Sequence, residues 1–144
     1  MIKQILLVSF IAAILEVDFM ALGQIMISRP IVSGTIIGWI LGDFKTGLII
    51  GALLELIWIS IIPMGAAIPP DALVVCVIAT AITILSGRNI FPLFSSWASF
   101  VIALTIPFGL LFKKLDIIHR KLNIGLVYYV EKKILEGKFY SVDE

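Results

Sequence analysis

The chain has 144 residues, 60% of them hydrophobic, with a net charge of +1 and a mean hydropathy of +1.13. Soluble domains of this length sit near about 45–50% apolar, so this excess cannot be hidden in one water-soluble core, and lipid is the expected solvent. A charge balance this close to zero gives no reason to expect nucleic acid as a partner.

Five apolar segments succeed one another along the chain. The first, 5–22, is long enough to span a bilayer, although Glu16 and Asp18 interrupt it. With Lys3 ahead of it, this run has the look of a signal peptide. It nevertheless continues through both acids to Ile27 without a small-residue cleavage site, and it is read as structure.

The second segment, 31–41, is eleven residues, about 16 Å as a helix and about half the hydrocarbon thickness. The third, 48–62, is also short and contains Glu55. Between them, "GWILGDFKTGLII" reads as a tight hairpin joining two half-spans, with Gly42, Asp43 and Gly47 supplying turn chemistry. A half-length helix at membrane depth is tolerated only inside protein or beside a water-filled cavity. Re-entrant helices are therefore expected here. Short segments interrupted by Gly and Pro also point to transporter binding sites. Gly34, Gly38 and Gly42 recur every four residues, as do Gly47 and Gly51, so each set lines one helix face that admits a close neighbour. Those neighbours need not all belong to this chain.

The fourth segment, 64–85, opens on "PMGAAIPPDA", with Pro63, Gly65, Pro69 and Pro70 breaking the helix ahead of Asp71. Prolines cannot donate main-chain hydrogen bonds and disfavour a regular helix before them. A new helix is expected to start near Pro70, where its free N–H groups and positive dipole end stabilise the Asp71 carboxylate. Asp71 is expected to be ionised and to face a cavity, where it can accept hydrogen bonds from polyhydroxyl compounds, cations or amines. Cys76, the only cysteine, cannot form an internal disulfide and is expected to be a small buried hydrophobe.

Glu55 and Asp71 together cost about 5–7 kcal/mol on insertion scales, which apolar neighbours can outweigh. Intramembrane carboxylates are functional candidates by default. Their structural alternative is an internal ion pair, for which Lys45 and Arg29 are the available partners.

The fifth segment, 91–112, is free of charge and contains Pro107 as an expected kink. Beyond it lie seven of the eleven basic residues: Lys113, Lys114, Arg120, Lys121, Lys132, Lys133 and Lys138. Leu115, Ile118, Leu122, Leu126 and Tyr129 recur at three- and four-residue spacing there, and Gly137 comes after them as a helix stop. This amphipathic segment is expected on the cytoplasmic side, on the membrane surface or against a partner helix. No phosphate-binding glycine loop, metal cluster or nucleophile–base pattern is present in the sequence, and His119 reads as a surface helix residue. No metal and no cofactor is expected.

"SRPIVSG", "GWILGDFKTGLIIGALLELIW" and "PMGAAIPPDA", in this order and closely spaced, resemble the IIC subunit of the mannose/fructose/sorbose family of the bacterial phosphoenolpyruvate-dependent sugar phosphotransferase system. "ILSGRN" and "IPFGLLFKKLDIIHRKLN" are similar to the next helix and connecting segment of that family, so the resemblance covers nearly the whole chain. It implies a permease subunit that forms the sugar path with a IID membrane subunit, in an oligomer. It also implies that a hexose-type sugar is phosphorylated during uptake by a cytoplasmic IIB protein, itself recharged through IIA. No catalytic residue of the chain's own is then expected, because phosphoryl transfer is carried by IIB. Matched motif to motif, sugar-binding roles fall to Asp71 and Glu55, and secondarily to Lys45 and Gln24. Lys45 has the alternative of pairing with Asp43. Pro63 stands where some relatives carry a polar residue, which leaves sugar preference open. Family members continue through further membrane helices, so the chain resembles the N-terminal half of a IIC subunit, either split from a separate C-terminal IIC half or truncated.

The expected architecture is an all-α, multi-pass protein of the bacterial inner (plasma) membrane, with several transmembrane helices and re-entrant or broken helical hairpins. Residues 1–112 form its membrane domain, and residues 113–144 a basic amphipathic cytoplasmic segment that contains a C-terminal amphipathic helix. Two other readings of the residues stand beside the permease: a fragment of an ion- or proton-coupled secondary transporter, and a membrane assembly protein without transport.

Overall fold

The structure is a computed structural model and describes residues 2–20, 25–59, 69–87 and 96–135. These form five α-helices: α1 (Ile2–Met20), α2 (Pro30–Leu41), α3 (Phe44–Trp58), α4 (Ala72–Leu85) and α5 (Ser96–Leu135). Each overlaps one of the five apolar segments. At 1.5 Å per residue, α2, α3 and α4 are about 18, 22 and 21 Å long, short of the roughly 30 Å hydrocarbon layer. α1 is long enough but carries Lys3, Glu16 and Asp18. In α5 the charge-free stretch, 96–112, ends at Lys113. Among the described residues, no helix is long and apolar enough to cross a membrane.

The hairpin of α2 and α3 is set by three local devices. Pro30 opens α2 at its first position, with Arg29 held extended ahead of it (φ −63°, ψ 140°), as the residue before a proline prefers. Gly42 closes α2 in the left-handed region at φ +89°. There its N–H donates to the Trp39 carbonyl and that of Asp43 to Gly38, the paired bonds of a Schellman end. Asp43 then caps α3, accepting from the Thr46 N–H at 3.1 Å and from the Thr46 hydroxyl at 2.5 Å.

The two helices of the hairpin close along glycines. A Cβ on Gly38 would lie 2.7 Å from the Gly47 Cα, and one on Gly34 would lie 3.0 Å from the Gly51 Cα. The expected glycine faces therefore meet each other within this chain. Gly47, expected both in the turn and with Gly51 on a packed helix face, stands inside α3, buried on this seam, because Asp43 already starts the helix and the turn needs only Gly42 and Asp43. Gly42 in turn is exposed, belongs to the turn, and takes no part in the packed face.

α4, which carries no charged side chain, is the centre of the fold. One side places Val75, Cys76 and Ala79 against Ile50 and Leu54 of α3 and Ala98 and Val101 of α5. The other places Leu73 and Val77 against Val8 and Leu15 of α1 and Ile37 of α2. α5 runs antiparallel to α4, fixed at one end by Trp97 Nε1 donating to Ser86 Oγ at 3.0 Å and at the other by the Asp71 N–H donating to the Gly109 carbonyl at 3.3 Å. α5 continues unbroken past Phe112 and Lys113 to Leu135, about 60 Å in all. Cys76 is fully buried, as expected.

Candidate functional site

Asp71 sits where the proline break ends. Pro69 and Pro70 lead into it, α4 begins at Ala72, and the Asp71 carboxylate caps the helix by accepting from the Val74 N–H at 3.0 Å. The expectation of a helix start near Pro70 that receives a carboxylate is met. The side chain also lines a cleft of about 420 Å³ between α1, the start of α4 and α5, together with Ala12, Glu16, Phe112, Asp116 and His119. Three carboxylates from three parts of the fold thus converge on one cleft with a histidine at its edge. Asp116 also pairs with Arg120 at 2.9 Å, one turn along α5.

Glu55 belongs to a different place. It lies near the end of α3, beside the start of α2, because the hairpin brings those ends together. Its Oε1 lies 2.5 Å from the Arg29 guanidinium, and its Oε2 accepts from the Ile31 N–H at 3.4 Å. Of the two ion partners the sequence allowed, the structure uses Arg29. Directly beside this pair the Cys76 thiol donates to the Pro30 carbonyl at 3.2 Å, so α2 begins between Glu55 of α3 and Cys76 of α4. Buried hydroxyls continue inward from there. Ser33 donates to the Pro30 carbonyl and Thr83 to that of Ala79, so these polar groups are satisfied locally.

The remaining predicted residues are not gathered around either carboxylate. Lys45 is exposed in the first turn of α3, ten residues or about 15 Å along the axis from Glu55. Asp43 directs both carboxylate oxygens to Thr46 and not to Lys45. Gln24, Pro63 and Gly65 lie outside the described residues. The sequence alone does not place Glu16, Asp116 and His119 at the site, since their helices meet α4 only in three dimensions. Asp18, an acid within the first apolar segment, has a structural role. Its carboxylate accepts from the N–H groups of Ile25 and Ile27 and ties the end of α1 to the approach to α2. Among the described residues, no group of three or more His, Cys, Asp or Glu is placed to hold a metal ion.

The family model described as "PTS system sorbose-specific iic component" matches residues 2–143. The mannose-specific EIIC component of the PTS of Escherichia coli (strain K12) is 32% identical over 139 residues, covering 96% of this chain and 49% of that protein. The sorbose-specific EIIC component of Klebsiella pneumoniae is 29% identical over 122 residues, covering 85% of this chain and 43% of that protein. Among solved structures, a chain of the cryoEM structure of the mannose transporter ManYZ in complex with microcin E492 matches with a TM-score of 0.75 and 30% identity, over 99% of this chain and 54% of that one. The chain spans about half the length of the curated relatives it matches. With the family model matching nearly every residue and the helical fold matching as well, the chain belongs to the sorbose-specific IIC component family of the sugar phosphotransferase system.

Proposed function

We propose that this chain forms part of the membrane-embedded sugar path of a phosphoenolpyruvate-dependent phosphotransferase system. Asp71 and Glu55 present carboxylates to the hydroxyls of a hexose-type sugar, and a cytoplasmic IIB protein, recharged by IIA, phosphorylates the sugar on arrival. The observation that carries the reading is the placement of Asp71. The Asp71 carboxyl stands at a proline-made helix start, at the lining of an open cleft, ahead of a helix, α4, that carries no charged side chain. A cleft of this size falls in the range of small-ligand sites, and a carboxylate is an acceptor suited to sugar hydroxyls.

The membrane setting is supported by what the helices expose. Leu6, Phe10, Trp39, Leu56 and Phe100 are all more than half exposed, and apolar surface of this extent calls for lipid or protein against it. α2 and α3 are too short to cross, and joined by a two-residue turn they suit a re-entrant hairpin packed against neighbouring helices. A IID subunit supplies the rest of that cover in the proposed assembly, as the ManYZ pairing suggests. The C-terminal stretch of α5 carries the cytoplasmic charge.

Deleting the gene in its host and measuring uptake of labelled mannose, fructose and sorbose tests the reading. Loss of uptake that depends on phosphoenolpyruvate, restored by the gene in trans, is the expected result. Uptake that collapses with the proton gradient and needs no phosphoenolpyruvate would assign the chain to a secondary transporter. Unaltered uptake of all three sugars would leave an assembly role.

A further inference from the structure

Glu55 is held from behind. Arg29 closes on Oε1 at 2.5 Å, and the first N–H of α2 beyond Pro30, that of Ile31, reaches Oε2 at 3.4 Å. The Glu55 side chain is 16% exposed, and that of Arg29 is 49% exposed. An ionised carboxylate offers about four acceptor positions, so two contacts leave room for more.

We infer that Arg29 is the positioning residue for Glu55, fixing its carboxylate in the direction from which sugar hydroxyls are bound. This rests on the reading of Glu55 as a sugar ligand. A free glutamate side chain has three torsions to order, and ordering them before the sugar arrives lowers the entropic cost of binding. Pro30 holds the Arg29 backbone extended, and α2 packs on α3 main chain to main chain along the glycine seam, so guanidinium and carboxylate are brought together by two closely packed elements. The contact is made by one guanidinium nitrogen on one carboxylate oxygen, Oε1. The pair also neutralises a carboxylate that would otherwise stand alone among apolar side chains.

The same pair latches the open end of the hairpin, so a purely structural role has to be separated from positioning. The test uses chromosomal variants in the native host, with membrane abundance and the kinetics of labelled mannose and sorbose uptake measured together. Arg29→Gln leaves Glu55 unpaired and is expected to lower abundance. Positioning adds a KM raised about tenfold, equal to one step of the affinity scale, with a nearly unchanged maximal rate per molecule, whereas a latch alone leaves the KM of the remaining molecules at the wild-type value. Arg29→Lys keeps the charge and the single nitrogen–oxygen contact, and it is expected to restore both abundance and KM. Wild-type KM in Arg29→Gln, or a KM in Arg29→Lys as high as in Arg29→Gln at wild-type abundance, overturns the inference. If deletion of the whole gene leaves sugar uptake unaltered, the transport reading fails first. If deletion abolishes uptake and the Arg29 variants keep wild-type KM, only the role of Arg29 is lost.

Discussion

The main-chain N–H of Asp71 donates to the Gly109 carbonyl across 3.3 Å, and at that crossing α5 has no room for a side chain. A Cβ on Gly109 would lie 2.7 Å from the Val75 Cγ2 and 3.0 Å from the Asp71 carbonyl oxygen. A valine methyl can yield a little, but main chain at a capped helix start cannot. Gly109→Ala is therefore expected to push the start of α4 off α5, lowering stability by about 1–3 kcal/mol, as overpacking does. Because Asp71 moves with that start, KM for sugar uptake should rise as well. Thermal unfolding in detergent and uptake kinetics check the two effects separately.

Substitution can divide the observed capping role of Asp71 from its proposed sugar-binding role. Its Oδ1 caps α4 through the Val74 N–H, and asparagine caps about as well as aspartate. Asp71→Asn should thus leave stability within about 0.5 kcal/mol of wild type, as non-disruptive substitutions do. The negative charge at the cleft is lost, and a hydrogen bond to a charged group contributes roughly 1.5–3 kcal/mol, so sugar affinity should fall about ten- to a hundredfold. Equal abundance with unaltered uptake would remove Asp71 from the sugar path. Asp71→Ala should lose the cap as well and unfold at lower temperature than Asp71→Asn.

Much of this arrangement was legible in the sequence because it depends on short-range chemistry. Gly42 and Asp43 mark the hairpin, and Pro69, Pro70 and Asp71 mark the start of α4, since each acts on main-chain groups within a few residues. The convergence of Glu16, Asp71 and Asp116 was not legible. Their positions are 55 and 45 residues apart along the chain, and only the packing of α1 and α5 around α4 brings them to one cleft. Gly47 carries both a turn reading and a helix-face reading in the sequence for a related reason, and the structure upholds the second. A glycine near a turn and a glycine on a packing seam look alike in sequence, and only the approach of Gly38 decides between them. Likewise the sequence offers Arg29 and Lys45 as equal partners for Glu55. The antiparallel hairpin decides in favour of Arg29, because it sets the end of α3 beside the start of α2 and far from the turn.

The glycine seam gives a contrast that side-chain volume alone decides. At Gly47 a Cβ would meet the Gly38 Cα at 2.7 Å, main chain against main chain. Gly47→Ala should force the hairpin apart and reduce folded protein in the membrane severely, and Gly38→Ala should do the same. Gly125, in the exposed part of α5, meets nothing within 4 Å. Gly125→Ala should be neutral or should stabilise α5 by up to about 1 kcal/mol, the helix-propensity difference between the two residues. Protein abundance and thermal unfolding of the three variants, measured side by side, test the seam. Wild-type stability of Gly47→Ala would mean that α2 and α3 do not close as described.

The last prediction concerns the side on which α5 ends. Within 113–135 stand Lys113, Lys114, Arg120, Lys121, Lys132 and Lys133 against Asp116 and Glu131. Basic residues close to the end of a membrane segment are retained on the cytoplasmic side, while acids contribute little to orientation. The helix is unbroken from the apolar to the basic part, and Asp116 and Arg120 pair one turn apart just past the boundary, so the basic part goes wherever the apolar part delivers it. Cys76 is fully buried and is the only cysteine. The unaltered chain should therefore stay unlabelled by a membrane-impermeant thiol reagent and serve as its own background. Asn123→Cys places a thiol on the exposed surface of α5 without touching the core. It should react in inverted vesicles and remain unreactive in intact cells. Labelling of that thiol in intact cells would put the basic segment outside, where a cytoplasmic phosphoryl donor could not meet it. The orientation proposed for the whole path would then have to be reversed.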